Sequence, residues 1–312
     1  MTRDNWFDGL KFVLIFLVIF GHCRHFTVSD ESLLSSKIVR YMIHTVYLFH
    51  MPLFILISGY FSKKTSKEIF KKSIIRLLKI FLLFHFLWFG LDSLRGEDFS
   101  ITRLISPSFT LWYLLSLIYW RAMLQHIPQK YDRACLILPI TAILAVSGGG
   151  LPLVNEFSIP RTFTFMPLFF LGYYAKKHNW LETIRKPSFL WFVIPAVVLI
   201  VIENSIHLDF YGRKPYVGLN DVIKRMVFLF SSIIISIAFV RVLPSKISVF
   251  AGEGKDVLFY YIYHSFVLFA IAMLLIQMNC IVGGFGLIFV SLFTLGILFM
   301  LRRIKLLHML IK

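Results

Sequence analysis

Residues 10–26 read Leu10-Lys11-Phe12-Val13-Leu14-Ile15-Phe16-Leu17-Val18-Ile19-Phe20-Gly21-His22-Cys23-Arg24-His25-Phe26. From Phe12 to Phe20 there is no polar side chain, with one lysine at the near end and a histidine near the far end. An apolar run of this length predicts a membrane-spanning helix. The same pattern recurs along the 312 residues, which are 58% hydrophobic and only 16% charged, with 34 Phe. A soluble domain is roughly half apolar and a quarter charged. The chain therefore reads as an all-α, multi-pass membrane protein. No polar stretch is long enough for a separate soluble domain, so residues 1–312 read as a single membrane domain.

Ten spans are expected, at about 10–26, 41–61, 74–91, 109–127, 134–148, 163–175, 189–206, 222–243, 257–277 and 281–301. The fifth and sixth are short and flank Gly148-Gly149-Gly150 and Pro152, where non-ideal backbone is expected. The three cysteines Cys23, Cys135 and Cys280 have no spacing that makes a disulfide framework or a metal site. Cys23 follows His22, where a lipoprotein signal needs a small residue, so the first span is expected to be retained.

The net charge of +17 has a topological cause. Lys63, Lys64, Lys67, Lys71 and Lys72 fill one loop. Of the alternate loops that follow, the first holds Arg121, Lys130 and Arg133, the second Lys176, Lys177, Arg185 and Lys186, and the third Arg241, Lys246 and Lys255. Arg302, Arg303 and Lys305 end the series. The loops between are poorer in basic residues and hold Asp92, Glu97, Asp98, Glu156, Glu203 and Asp209. Basic loops stay in the cytoplasm, so both termini are expected there. Membrane lipids and an anionic cytoplasmic substrate are the partners such charge implies, and nucleic acid is not.

Orientation gives the first span a direction, with Lys11 at the cytoplasmic entrance. His22 lies eleven residues on, about 16 Å deeper and about 20° past three full turns, on the face of Lys11. Asp8 falls within about 40° of the same stripe but about 21 Å from His22, so it is expected to pair with Lys11. A histidine inside a span is a functional candidate, and a neutral one suits general-base work.

Other chemistry-bearing positions follow. His50 precedes Pro52 in the second span, with Ser58 and Gly59 expected to serve helix packing. Arg76 and Lys79 share one side of the third span near Lys72 and suit phosphates. Trp112 opens the fourth span at the expected outer face, where by itself it reads as part of the aromatic belt, and Arg161 is one of few basic residues on that side. His264 lies in the ninth span within Tyr260-Tyr261-Ile262-Tyr263-His264, and reads equally as a functional group or as a buried histidine satisfied by its surroundings. Span interiors lack carboxylates, unlike those of proton-coupled pumps.

Asp8-Gly9-Leu10-Lys11, ten residues and then Gly21-His22 resembles the first-span signature of the acyltransferase-3 family of integral membrane acyltransferases. The segments His50 to Phe61, Leu111-Trp112-Tyr113, Arg161 to Gly172 and Tyr263-His264 also resemble its fucose 4-O-acetylase-like branch. Lys11 stands where arginine is commoner. The third-span basic pair is either Arg76-x-x-Lys79 or Arg76 with Ser73 and the adjacent Lys72.

The resemblance implies an enzyme of the bacterial cytoplasmic membrane. It would move an acetyl group from acetyl-CoA, a co-substrate, to a sugar hydroxyl of a surface polysaccharide or its lipid-linked precursor. It assigns His22 and Lys11 to catalysis. The donor would lie on Lys11, Lys72, Arg76 and Lys79, and the acceptor near Trp112, Arg161, His50 and His264. No metal is expected. His22 would act either as a general base or as a transient acyl carrier. The alternative expectation is a non-enzymatic flippase for a lipid-linked glycan, which needs no His22 in line with Lys11.

Overall fold

The computed structural model describes residues 4–27, 37–96, 100–151, 156–181, 214–280, 282 and 284–311. Their regular structure is entirely helical, with twelve α-helices among the described residues. These are α1 (Asn5–Thr27), α2 (Lys37–Tyr60), α3 (Lys67–Leu94), α4 (Ile101–Ile105), α5 (Trp112–His126), α6 (Ala134–Ser147), α7 (Ile159–Lys177), α8 (Leu219–Val242), α9 (Ala251–Gly254), α10 (Val257–Gln277), α11 (Gly284–Leu301) and α12 (Lys305–Met309). Helices dominate because a backbone in lipid must satisfy its own hydrogen bonds.

Among the described residues, five helices are long and apolar enough to cross a membrane: Asn5–Cys23, Tyr41–Tyr60, Lys67–Leu94, Leu219–Val242 and Val257–Gln277. Ala134–Gly150 and Gly286–Leu301 are shorter apolar helices. The expected span 189–206 lies outside the described residues.

Helix starts differ from the hydropathy edges for local reasons. α1 begins at Asn5, because the Asp4 carboxylate accepts the Trp6 backbone N–H at 2.9 Å, as an N-cap does. α3 begins at Lys67 rather than 74, after an extended Ser66, so its first turns are polar. It buries Leu77, Ile80, Phe81, Phe84, His85 and Trp88, spaced three or four apart. The opposite face exposes Ile75, Leu78, Leu82, Leu83, Phe86 and Leu87, which suits lipid and not water.

The chain divides into two compact units, residues 1–51 with 242–312 and residues 52–241. The division falls inside α2, between Met51 and Pro52, where proline removes a backbone donor.

In the first unit α1 is central. Its start is pressed against backbone: a Cβ on Gly9 would lie 2.1 Å from the Ile247 carbonyl oxygen, and one on Gly254 would lie 1.7 Å from the Asp8 oxygen. Arg302 bridges Glu253 and Asp256 at 2.7 and 3.2 Å. The start of α1, the segment before α10 and the residues after α11 thus meet at one end of this unit. At the other end Tyr47 donates to the Gly21 carbonyl at 2.9 Å, and Cys23 and Ser291 share a hydrogen bond at 3.2 Å.

The second unit is built on α7. Its Gly172 and the Gly59 of α2 let two backbones touch: a Cβ on Gly172 would lie 1.8 Å from the Leu56 oxygen, and one on Gly59 would lie 1.9 Å from that of Phe169. Trp120, Phe165, Phe169, Phe170 and Tyr174 fill the surrounding core.

At one end of this unit Asp132 ties the loop that carries Lys64 to the last turns of α7. Lys64 donates to it at 2.9 Å, Tyr173 at 3.0 Å and Tyr174 at 2.8 Å, and Lys177 is 3.3 Å away. Burial pushes this carboxyl up, but the donors Lys64, Tyr174, Tyr173 and Lys177 outweigh that and hold it down at about 2.

Candidate active site

In the first unit, α1 carries Asp8, Lys11 and His22. Lys11 forms an ion pair with Asp8 at 3.0 Å, one helical turn away. Asp8 is buried, while Lys11 and His22 are half-buried. His22 does not stand alone: its Nδ1 lies 3.0 Å from Nε2 of His264 on α10. His264 is fully buried, and its Nδ1 lies 2.7 Å from the Tyr261 carbonyl and 3.2 Å from that of Tyr260. The ring planes are 13° apart and the centroids 5.2 Å apart. That separation exceeds the 3.0 Å nitrogen–nitrogen distance by about twice the radius of an imidazole, roughly 1.1 Å. The two nitrogens therefore lie on the line joining the ring centres. The rings meet edge to edge in a nearly common plane, the geometry of a linear N–H···N hydrogen bond and not of a face stack.

His50 also belongs to this unit. Its Nδ1 donates to the Val46 carbonyl at 2.5 Å, and Tyr47 packs edge-on against its ring. Its Nε2 is buried and has no hydrogen-bond partner among the described residues. α2 thus presents a lone pair there that a bound hydroxyl can satisfy.

The second unit holds the remaining candidates at two places. Lys72, Arg76 and Lys79 are exposed along one face of α3, at helical spacings of four and three. At the opposite end from Asp132, the Arg161 guanidinium lies 4.9 Å from the Trp112 ring centre, with both side chains buried. Ser158, left-handed at φ 60°, donates to the Trp112 carbonyl at 3.2 Å and ties the start of α7 to that of α5.

Arg225 is a buried cation of this unit that sequence reasoning did not single out, bonded to Thr164 one turn along α7 from Arg161. It also donates to the Lys214 carbonyl and lies 5.5 Å from the Tyr216 ring. The signal was available: Arg225 falls inside the apolar span 222–243, where an ionisable group is a candidate by default. Gly149 makes room for the Tyr216 ring, since a Cβ there would lie 2.2 Å from it.

Ser58 and Gly59 are packing residues. Ser58 gives its proton to the Phe54 carbonyl at 2.8 Å, so the Tyr113 hydroxyl donates to Ser58 at 2.6 Å. A cavity of about 140 Å³ lined mainly by Leu53, Leu56, Leu171, Ile233 and Ile237, with Ser236 the polar residue of its wall, holds no titratable group.

The chain is similar to two proteins called nodulation protein NolL. It is 39% identical over 67 residues to the one from Sinorhizobium fredii, covering 20% of this chain and 17% of the relative. It is 41% identical over 75 residues to the one from Mesorhizobium japonicum, covering 23% of this chain and 18% of the relative. The chain thus matches less than a fifth of the length of these relatives. No solved structure matches. The family model described as an acyltransferase domain matches residues 4–302, nearly the whole chain, and the chain belongs to this acyltransferase-3 family.

Proposed function

We propose that the chain is a membrane O-acetyltransferase, working as one domain, that moves an acetyl group from acetyl-CoA to a sugar hydroxyl of a surface polysaccharide or its lipid-linked precursor. The observation that carries this reading is His22, a histidine inside an apolar span, bonded in line to a second, fully buried ring. Such a group has little structural use in lipid and is suited to moving a proton.

His22 deprotonates the acceptor hydroxyl. Lys11, fixed by Asp8, is its basic companion on α1. Lys72, Arg76 and Lys79 supply positive charge for the donor's phosphates. Trp112 and Arg161 suit a sugar, whose ring stacks on indole and whose hydroxyls accept from guanidinium. His50 offers the acceptor a further lone pair.

Ten spans with both termini in the cytoplasm of a bacterial inner membrane fit the convergence of the basic loops. Lys64, Asp132 and Lys177, from three loops of the expected cytoplasmic set, meet at one end of the second unit. Asp8, Gly9 and Arg302 meet the 242–256 segment at one end of the first.

The test is the surface glycan of a deletion strain, analysed by mass spectrometry. It is expected to keep its chain length and lose acetyl. Complementation with the wild-type gene restores acetylation, and His22→Ala lowers it at least 100-fold, the usual reach of a general base. Full acetylation by His22→Ala refutes the assignment.

A further inference from the structure

His264 was open to two readings, as a group facing the acceptor or as a buried histidine satisfied by its surroundings. Its hydrogen bonds point to a third. A carbonyl oxygen only accepts, so Nδ1 of His264, at 2.7 Å from the Tyr261 oxygen, must carry the proton. The neutral ring has one proton, which leaves a lone pair on Nε2. That lone pair faces Nδ1 of His22 at 3.0 Å, in line with both ring centres. Two facing lone pairs would repel, so Nδ1 of His22 carries its ring's proton. The lone pair of His22 is thereby placed on Nε2, the nitrogen turned away from His264.

We propose that His264 is a positioning residue: by accepting the Nδ1 proton of His22 and donating to the Tyr261 carbonyl, it fixes the tautomer and plane in which His22 meets the acceptor. This rests on the functional reading above. In the transfer step the acceptor hydroxyl gives its proton to His22 Nε2 while its oxygen bonds to the thioester carbonyl carbon. The carbon–sulfur bond then breaks, and the departing CoA thiolate takes the proton from Nε2. No oxidant or further reactant is needed. While His22 is an imidazolium, its Nδ1–H bond to His264 is charge-assisted and stronger. The orienting partner is an uncharged ring, so no carboxylate has to be buried beside His22, in contrast to the aspartate of a serine-protease triad.

The experiment uses the full-length protein in nanodiscs, with histidine labelled with ¹⁵N. Two-bond proton–nitrogen correlations are expected to show His22 protonated on Nδ1 and bare on Nε2. A spectrum with His22 protonated on Nε2 overturns the proposal, whatever the enzyme's substrate.

Transfer is measured with labelled acetyl-CoA and surface polysaccharide stripped of acetyl by mild base. His264→Leu, which removes the acceptor, is expected to lower kcat by about 10²- to 10⁴-fold, the range of a lost tautomer. The KM for acetyl-CoA should stay within about twofold if His264 acts only through His22. His264→Gln is expected to recover all but about tenfold, because its carbonyl accepts and its amide donates as the imidazole does. An inactive His22→Ala beside a fully active His264→Leu overturns the relay alone. A fully active His22→Ala overturns the functional reading. If His264→Leu does not fold, the wild-type spectrum and His264→Gln decide, and a His264→Gln as impaired as His22→Ala counts against the proposal.

Discussion

Asp132→Asn tests how the second unit is held at its polar end. The native carboxylate binds Lys64, Tyr173 and Tyr174 and is 3.3 Å from Lys177. Its value falls from the ordinary 3.8 to about 2, which corresponds to about 2 kcal/mol of stability at neutral pH and low salt. The folded-state value lies below the unfolded one. The contribution is therefore fully present well above pH 4 and is lost as pH falls through 2; about half has gone by pH 3. Asparagine keeps one acceptor but no charge, and leaves the Lys64 and Lys177 ammonium groups without their counter-ion. Thermal unfolding in detergent is expected to show the variant on the order of 5 °C below wild type at pH 7. The gap should narrow below pH 4. Lys64→Met is expected to be less costly in the Asp132→Asn background than alone. An equal melting temperature at pH 7, or a gap that stays constant down to pH 3, refutes the assignment of this stability to the Asp132 carboxylate.

Gly172→Ala places a methyl 1.8 Å from the Leu56 oxygen, and the helices must part by more than 1 Å, with an expected loss of about 1–3 kcal/mol in detergent melts. Gly90→Ala, whose methyl meets nothing within 4 Å, is the matched control and should be neutral or slightly stabilising. Tyr113→Phe removes the donor to Ser58 and is expected to cost about 1 kcal/mol, with Ser58→Ala adding less than its single effect. Arg225→Lys should lower stability by about 1 kcal/mol and reduce acetyl transfer, because an ammonium cannot reach Thr164 and the Lys214 carbonyl from one plane.

The long apolar helices were legible in the sequence because lipid imposes a blunt rule, about twenty apolar residues in a helix, and five of the described helices meet it in length and hydropathy. Eight of the nine expected spans that fall among the described residues overlap helices of at least 15 residues, and the ninth, 134–148, overlaps a helix of 14. The edges were not legible, since caps such as Asp4 act through one hydrogen bond that hydropathy does not register. His22, Lys11 and Asp8 stood out by the cost of placing polar groups in an apolar helix. The Asp8–Lys11 pairing follows from three residues of separation. Arg225 was passed over because it stands beside Lys224 at a span end and looks like a flank.

Residues 10–26 by themselves specify an apolar helix that carries one odd histidine. What His22 touches was decided elsewhere, 242 residues along the chain. His22 and His264 are separate polar points on separate apolar helices, and no periodicity relates them. Only the packing of α1 against α10 sets their nitrogens 3.0 Å apart in one plane. Hydrogen-bond direction then carries information that composition cannot, because it dictates which nitrogen holds the proton.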